Sequence, residues 1–160
     1  MKVFTVFDVA KYILEKRGAM TAWKLQKLVY FCQAWSLAWD ERILFEDDFE
    51  AWANGPVVRA LFNVHRGLLY VDETTFQRGD SSRLDDIAIE TIDAVLRDYS
   101  DFSGRELSEI AHSERPWKEP RAGIPAGERS ENIISRETMS DFYTGLLNAE
   151  ESKLQQAIVT

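Results

Sequence analysis

The segment from Met20 to Asp40, MTAWKLQKLVYFCQAWSLAWD, constrains the fold of this chain more than any other. It has the length of a helix and is apolar on nearly every side, which is typical of a helix buried within a protein or a membrane. At about 100° per residue, its polar side chains fall into one narrow seam. The seam consists of Gln26, Gln33, Ser36 and Asp40. The sequence therefore predicts a central buried helix over residues 21–40, with the rest of the chain wrapped around it.

The remaining pattern predicts shorter helices around this centre. Thr5 with Asp8 resembles a capping box, and Gly18 stands where a helix C-cap is expected. Further helices are predicted at 57–66, 83–99 and 104–112 and, after a cap at Ser135, at the end of the chain. Residues 116–130 hold three of the four prolines, which predicts an irregular surface segment.

One short stretch after the central helix has a strand-like pattern. Ile43–Phe45 and Phe49–Trp52 are apolar runs on either side of an acidic tip, which predicts a minor β-hairpin near 43–53. Asn54-Gly55-Pro56 then breaks the pattern, and Pro56 is suited to the first turn of the next helix.

Length and composition indicate a single folded domain. The chain has 160 residues, the usual length of one domain, and 45% of them are apolar. We therefore expect a mainly α, compact single-domain fold over residues 1–147. Residues 148–160 form a polar C-terminal tail, either helical or frayed.

Net charge and cysteine content limit the partners and the cellular location that we expect for this chain. The formal net charge of −8 argues against nucleic-acid binding, which needs cationic surface to displace counterions. It is compatible with a basic protein partner and is equally ordinary for a cytosolic protein. The single cysteine, Cys32, excludes an intrachain disulfide, and neither a signal peptide nor a membrane span is recognisable. We expect a cytoplasmic protein without membrane association.

No catalytic, cofactor or metal motif is recognisable. His65, His112 and Cys32 share no metal-ligand spacing, and nucleophile elbows, Walker loops and dinucleotide fingerprints are absent from the sequence. We therefore expect no cofactor and no enzymatic activity. A hydrolase that uses His65 or His112 as its general base is the competing hypothesis.

The aromatic and basic side chains allow two interpretations. Lys24 and Lys27 interrupt the apolar surface of the central helix in its first turns. Their stems could cover apolar surface while the ammonium groups reach water, or they could recognise an acidic group on a partner. Trp23 has core-like spacing and is expected to be structural, whereas Trp117 follows Pro116 in an irregular segment and is a candidate for a special role.

Three segments in register carry a family resemblance. They are KLQKLVYFCQAWSLAW from Lys24, FEAWANGPVVRALF from Phe49 and ELSEIAHSERPW from Glu106. Together they resemble the Panacea antitoxin domain, a family also called SocA-like or GepA-like (phage-associated protein), over residues 5–147. The motif positions, most of them expected to be structural, are Leu25, Leu28, Tyr30, Trp52, Gly55, Pro56, Pro116 and Trp117.

The resemblance implies a mostly helical fold with a minor β element, no cofactor and no catalysis. It implies an antitoxin, often encoded on a prophage, that neutralises a cognate toxin by direct protein–protein binding. One branch of the family acts instead as an adaptor that delivers its toxin to a Clp-type protease. A prophage-encoded transcriptional regulator is a further alternative, although in a chain of this length we expect no added DNA-binding domain. For contact with a toxin we expect exposed neighbours of the motifs: Lys24, Lys27, Arg59, His112 and Trp117.

Overall fold

Helices dominate the computed structural model, which describes residues 3–159. The α-helices are α1 Val6–Arg17, α2 Ala22–Trp39, α3 Arg59–His65, α4 Asp86–Tyr99, α5 Gly104–His112, α6 Arg115–Lys118 and α7 Arg136–Val159. The strands are β1 Met20–Thr21, β2 Glu50–Trp52, β3 Gly55–Val57 and β4 Tyr70–Val71. They form two antiparallel pairs, β1 with β4 and β2 with β3. The predicted mainly α fold with a minor β element is confirmed.

The predicted central helix is α2, which packs against α1, α4, α5, α7 and β3. Gln26, Gln33 and Ser36 of its polar seam bind backbone groups of the segments that follow α2. The amide of Gln33 accepts from Leu44 N–H at 2.7 Å and donates to the carbonyl of Phe45 at 2.9 Å. The hydroxyl of Ser36 donates to the carbonyl of Arg42 at 2.9 Å. Because a buried polar group is costly when unpaired, the seam dictates where the segment after α2 must lie.

The position predicted for the hairpin, near 43–53, is partly wrong. Residues 43–45 form no strand, because the Gln33 side chain occupies the N–H of Leu44 and the carbonyl of Phe45. The observed hairpin pairs β2 with β3, with Ala51 opposite Pro56. Pro56 therefore lies in a strand and does not open a helix; α3 begins later, at Arg59.

Local capping decides the other helix boundaries. The capping box predicted at Thr5 is present, and a second one at Ser103 begins α5. The helix predicted over 83–99 begins later, at Asp86, because Ser81–Arg83 forms a 3-10 turn and Asp85 accepts from Ala88 N–H at 2.9 Å. The segment 148–159, predicted to be either helical or frayed, continues α7. Within residues 3–159, no helix has the length and apolar character needed to cross a membrane.

A buried carboxyl group lies where α6 packs against α7. Glu114 precedes α6, and Tyr143 of α7 donates its hydroxyl to it. The ring of Tyr30 from α2 lies 6.4 Å from that of Tyr143, between centroids. Burial raises the pKa of Glu114 to about 7. The protonated form is therefore favoured in the folded state, and ionisation of Glu114 opposes folding.

Glu114→Gln should make the protein more stable at alkaline pH. The pKa of Glu114 is raised on folding, so the wild type loses stability as the pH rises from about 4.5 to about 7, by about 3 kcal/mol at most. The neutral amide accepts the Tyr143 hydroxyl without this loss. Urea unfolding at pH 5 and pH 8 measures the difference. Glu90→Gln, at an exposed position of α4, is the control, and an equal pH dependence in both variants would contradict the assignment.

Candidate functional site

The three family-like segments meet at one corner of the fold. The indole N–H of Trp117, next to Pro116 in α6, donates to the carbonyl of Trp52 at 2.8 Å. The imidazole of His112 stacks on Trp117, with ring centroids 4.0 Å apart. Trp117 is buried, with 6% of its surface exposed, so the expectation of an exposed contact residue is wrong. Trp117 instead joins α5 and α6 to the β2–β3 hairpin.

Lys27 lies at the centre of this corner and is fully buried. Its ammonium group donates to the carbonyl of Pro56 at 3.1 Å and lies 5.4 Å from the centre of the Trp23 ring. Burial lowers the pKa of Lys27 to about 7, because the charged ammonium loses its hydration inside the fold. The predictions that this ammonium reaches water or contacts a partner are therefore wrong. Lys27 instead connects α2 to the hairpin.

The absence of a side chain at Gly55 leaves room for the side chain of Lys27. Its backbone has a φ of +115°, in a region that favours glycine. A Cβ atom at this position would lie 2.5 Å from Cε of Lys27. The other motif residues expected to be structural are also buried, except for the partly exposed Trp52: Leu25, Leu28, Tyr30, Pro56 and Pro116. The corner around Lys27, Gly55 and Trp117 is therefore a closely packed cluster beneath the protein surface, which we call the hub.

The two histidines face this hub. Gln26 Nε2 lies 3.0 Å from Nε2 of His65, and burial lowers the pKa of His65. His112 is half-buried, and its pKa is lowered by burial and by the nearby charges of Lys27 and Arg121. Both imidazoles are therefore mainly neutral at pH 7. His65 is closed off inside the fold, whereas His112 reaches a groove.

Lys24 and Arg59 differ in how firmly they are held. The ammonium of Lys24 donates to the carbonyl of Ser100 at 2.6 Å, at the C-terminal end of α4, where a helix favours a cation. Arg59 has 39% of its side chain exposed and donates to Glu50 at 2.9 and 3.0 Å. Its guanidinium lies 5.3 Å from the centre of the Trp52 ring. Arg59 is thus partly exposed and is held in place by Glu50 and Trp52.

Two surface grooves lie above the hub, on either side of Trp23 and Asn54. The first has a volume of about 480 Å³. We call it the arginine–aromatic groove, after Trp23, Trp52, Phe62, Arg59, Arg66 and Arg129 in its lining. The second, of about 580 Å³, is lined by Leu69 and His112 among others. A further groove of about 590 Å³, near Phe7 and Phe76, contains none of the family-like motif residues.

Several residues of the arginine–aromatic groove could not be recognised as functional from the sequence. Trp23, expected to be structural, is only half-buried and lines both grooves. Arg59, Phe62 and Arg66 follow one another at spacings of three and four residues, a signal for one shared helix face. Arg129 comes from a distant loop, and no local pattern marks it.

The loop that carries Arg129 is organised by Arg121. This side chain is 3% exposed, and its guanidinium lies 4.8 Å from the centre of the Trp117 ring. It donates to the carbonyl of Ala51 at 2.9 Å. It also donates to three carbonyls of the loop, those of Pro125, Ala126 and Glu128. Arg121 thereby fixes the path of the loop relative to the hairpin.

Gly55→Ala should lower the free energy of unfolding by about 2–4 kcal/mol, because it combines backbone strain with a clash against Lys27. Chemical denaturation of both proteins measures the loss. The matched control is Gly145→Ala in α7, where a Cβ meets open space and helix propensity predicts a gain of about 1 kcal/mol. Equal effects at the two positions would contradict the close fit of Gly55 to Lys27.

Comparison with protein families gives one match. The family model for the antitoxin SocA-like Panacea domain matches residues 25–118, more than half of the chain. The matched segment contains the hub residues of α2, the hairpin, α5 and α6. Comparison with curated proteins and with solved structures returns no match. The resemblance found in the sequence is confirmed: the chain belongs to the SocA-like antitoxin family and carries its Panacea domain.

Proposed function

We propose that this protein is an antitoxin that neutralises a cognate toxin by binding it directly through the arginine–aromatic groove and the surface next to it. Membership of an antitoxin family supports a protein partner and a non-enzymatic role. The observation that carries the proposal is the groove itself, where Trp23, Trp52 and Phe62 stand beside arginines. Aromatic and arginine side chains dominate the energetics of protein interfaces. We further propose that the pair acts in the cytoplasm and is encoded on a prophage.

An exposed apolar strip extends this surface. Leu68, Leu69 and Tyr70 are 49%, 65% and 64% exposed, and Leu69 lines the second groove together with Trp23. Three consecutive apolar side chains in water favour a protein contact. The strip is held in place by its backbone, because the carbonyl of Leu69 accepts from Ala22 N–H at 3.0 Å. Its side chains can therefore be replaced without breaking that hydrogen bond.

Leu69→Asp should weaken neutralisation. The product of the adjacent open reading frame is expressed alone and together with this protein, and growth is measured. We expect growth arrest in the first case and rescue in the second. Leu69→Asp should weaken toxin binding at least about tenfold, by burying a charge at the interface. The matched control is Ile87→Asp, 53% exposed in the first turn of α4, which should rescue as the wild type does. A harmless neighbouring product, or killing that persists with the wild type, would refute the antitoxin function.

A proteolytic adaptor is the second candidate. Its support is the last part of α7, where Leu154 and Ile158 lie four residues apart and are 63% and 81% exposed. Such a pair forms an apolar stripe that a protease component of the Clp type could bind. The adaptor function predicts that Leu154→Gln with Ile158→Gln lengthens the half-life of the toxin in cells. An unchanged half-life, with neutralisation intact, favours sequestration.

A further inference from the structure

We infer that the arginine–aromatic groove recognises an acidic segment of a protein partner, with a partner carboxylate held by the arginines and an apolar side chain set against the aromatic rings. The inference deepens the proposed function and rests on it for the partner being a protein. Three observations support the inference: the positive charge of the side chains that line the groove, the availability of Arg66 for an ion pair, and the position of Glu131 between two arginines.

The charge of the groove differs from that of the chain. The chain has a formal net charge of −8. Among the described residues that line the groove, the charged ones are Arg59, Arg66 and Arg129, and none is acidic. A cationic concavity on an anionic protein favours an anionic group and disfavours a cationic one. The charge therefore selects the class of side chain that can enter.

Arg66 is available for a new ion pair. It is exposed, and no ion pair is formed by its guanidinium within the part of the chain that the structure describes. The guanidinium lies 5.3 Å from the centre of the Phe62 ring. Stacking on a ring restricts a guanidinium and leaves its N–H groups free for a carboxylate. Part of the ordering needed for binding is thus already present.

Glu131 marks the place where a carboxylate fits. Its Oε1 lies 3.0 Å from Nη2 of Arg59 and 3.1 Å from Nη2 of Arg129, so one oxygen bridges two arginines. The side chain of Glu131 is 51% exposed, and ion pairs in water are weak. A partner carboxylate can therefore replace it. Glu50, 13% exposed, binds Arg59 from the buried side and keeps it oriented.

The groove suits a short acidic peptide better than a nucleic acid. Trp23, Trp52 and Phe62 offer apolar ring surface between the charges, which an acidic segment with an aromatic or aliphatic side chain would cover. A polynucleotide extends beyond a groove of about 480 Å³ onto a chain with a net charge of −8. Such a surface repels the remaining phosphates.

Binding of defined probes tests the inference. The probes are a fluorescein-labelled peptide of about ten residues alternating Glu and Phe, its Gln–Phe counterpart and a single-stranded oligouridylate of similar length. Fluorescence anisotropy measures each dissociation constant at low and high ionic strength. We expect the Glu–Phe peptide to bind most tightly and to weaken with salt. Arg66→Gln should weaken it about tenfold. Arg97→Gln, an equal loss of charge at an exposed position of α4, should change it less than about twofold.

Glu131→Gln should strengthen binding of the Glu–Phe peptide, whereas Arg66→Gln should weaken it. Removal of this carboxylate frees Arg129 and leaves Arg59 paired with Glu50 alone, so the Glu–Phe peptide should bind about three- to tenfold more tightly. Glu90→Gln, an equal change on α4, is the control and should leave binding unchanged. A folding defect would act in the same direction in both variants, so a loss with Arg66→Gln and a gain with Glu131→Gln separate recognition from stability.

The outcomes also separate this inference from the proposed function. If the wild type neutralises the toxin while Arg66→Gln weakens neither neutralisation nor the peptide, the acidic-segment inference is overturned and the antitoxin function stands. If both substitutions change the affinity for the peptide as expected but no toxin is neutralised, recognition of an acidic segment by the groove is supported and the antitoxin function is refuted. If the oligouridylate binds more tightly than the peptide, and Arg66→Gln abolishes this binding, the inference is overturned in favour of a nucleic-acid site.

Discussion

Two glutamine amides on the buried face of α2 hold in place the segments on both sides of the β2–β3 hairpin. Gln26 accepts from Val58 N–H at 2.9 Å and donates to the carbonyl of Val58 at 3.1 Å. Gln33 does the same for Leu44 and Phe45. Each amide thus pairs with the chain as an adjacent strand would. Because an unpaired buried amide costs about 1–3 kcal/mol, the segments on both sides of the hairpin have little freedom to move from α2.

Lys27 shows that the corner beneath the grooves is not arranged for stability alone. A fully buried ammonium with one carbonyl acceptor loses most of its hydration, which is why its pKa falls to about 7. The stability lost by holding this cation grows as the pH falls from about 10.5 to about 7. In return, Lys27 fixes the hairpin through Pro56 and supports the ring of Trp23. Trp23 separates the two grooves, so the buried cation helps to shape the surface we propose to bind a toxin.

Most helices were readable from sequence, whereas α6 and the details of the site were not. Apolar periodicity and capping residues act locally, which is why α1 was predicted with its caps and α2 and α5 with nearly correct bounds. The absence of a strand at residues 43–45 depends on Gln33, whose side chain binds the backbone of Leu44 and Phe45 where a strand partner would. The burial of Lys27 depends on Gly55 and Pro56, which arrive from a distant segment. Such contacts have no periodicity, so a lysine at the start of a helix gave only the usual expectation of exposure.

The groove has two halves with different origins. Trp23, Trp52 and Arg59 lie within residues 25–118 or directly before them, on elements fixed by the hub. Arg129 and Glu131 follow the matched segment, on the loop that Arg121 ties to the hairpin. A change of charge at Arg129 or Glu131 alters the groove without altering the packing of α2, because both side chains are exposed. The same packed scaffold can therefore carry grooves of different charge, and the charge of the groove decides which class of side chain it admits.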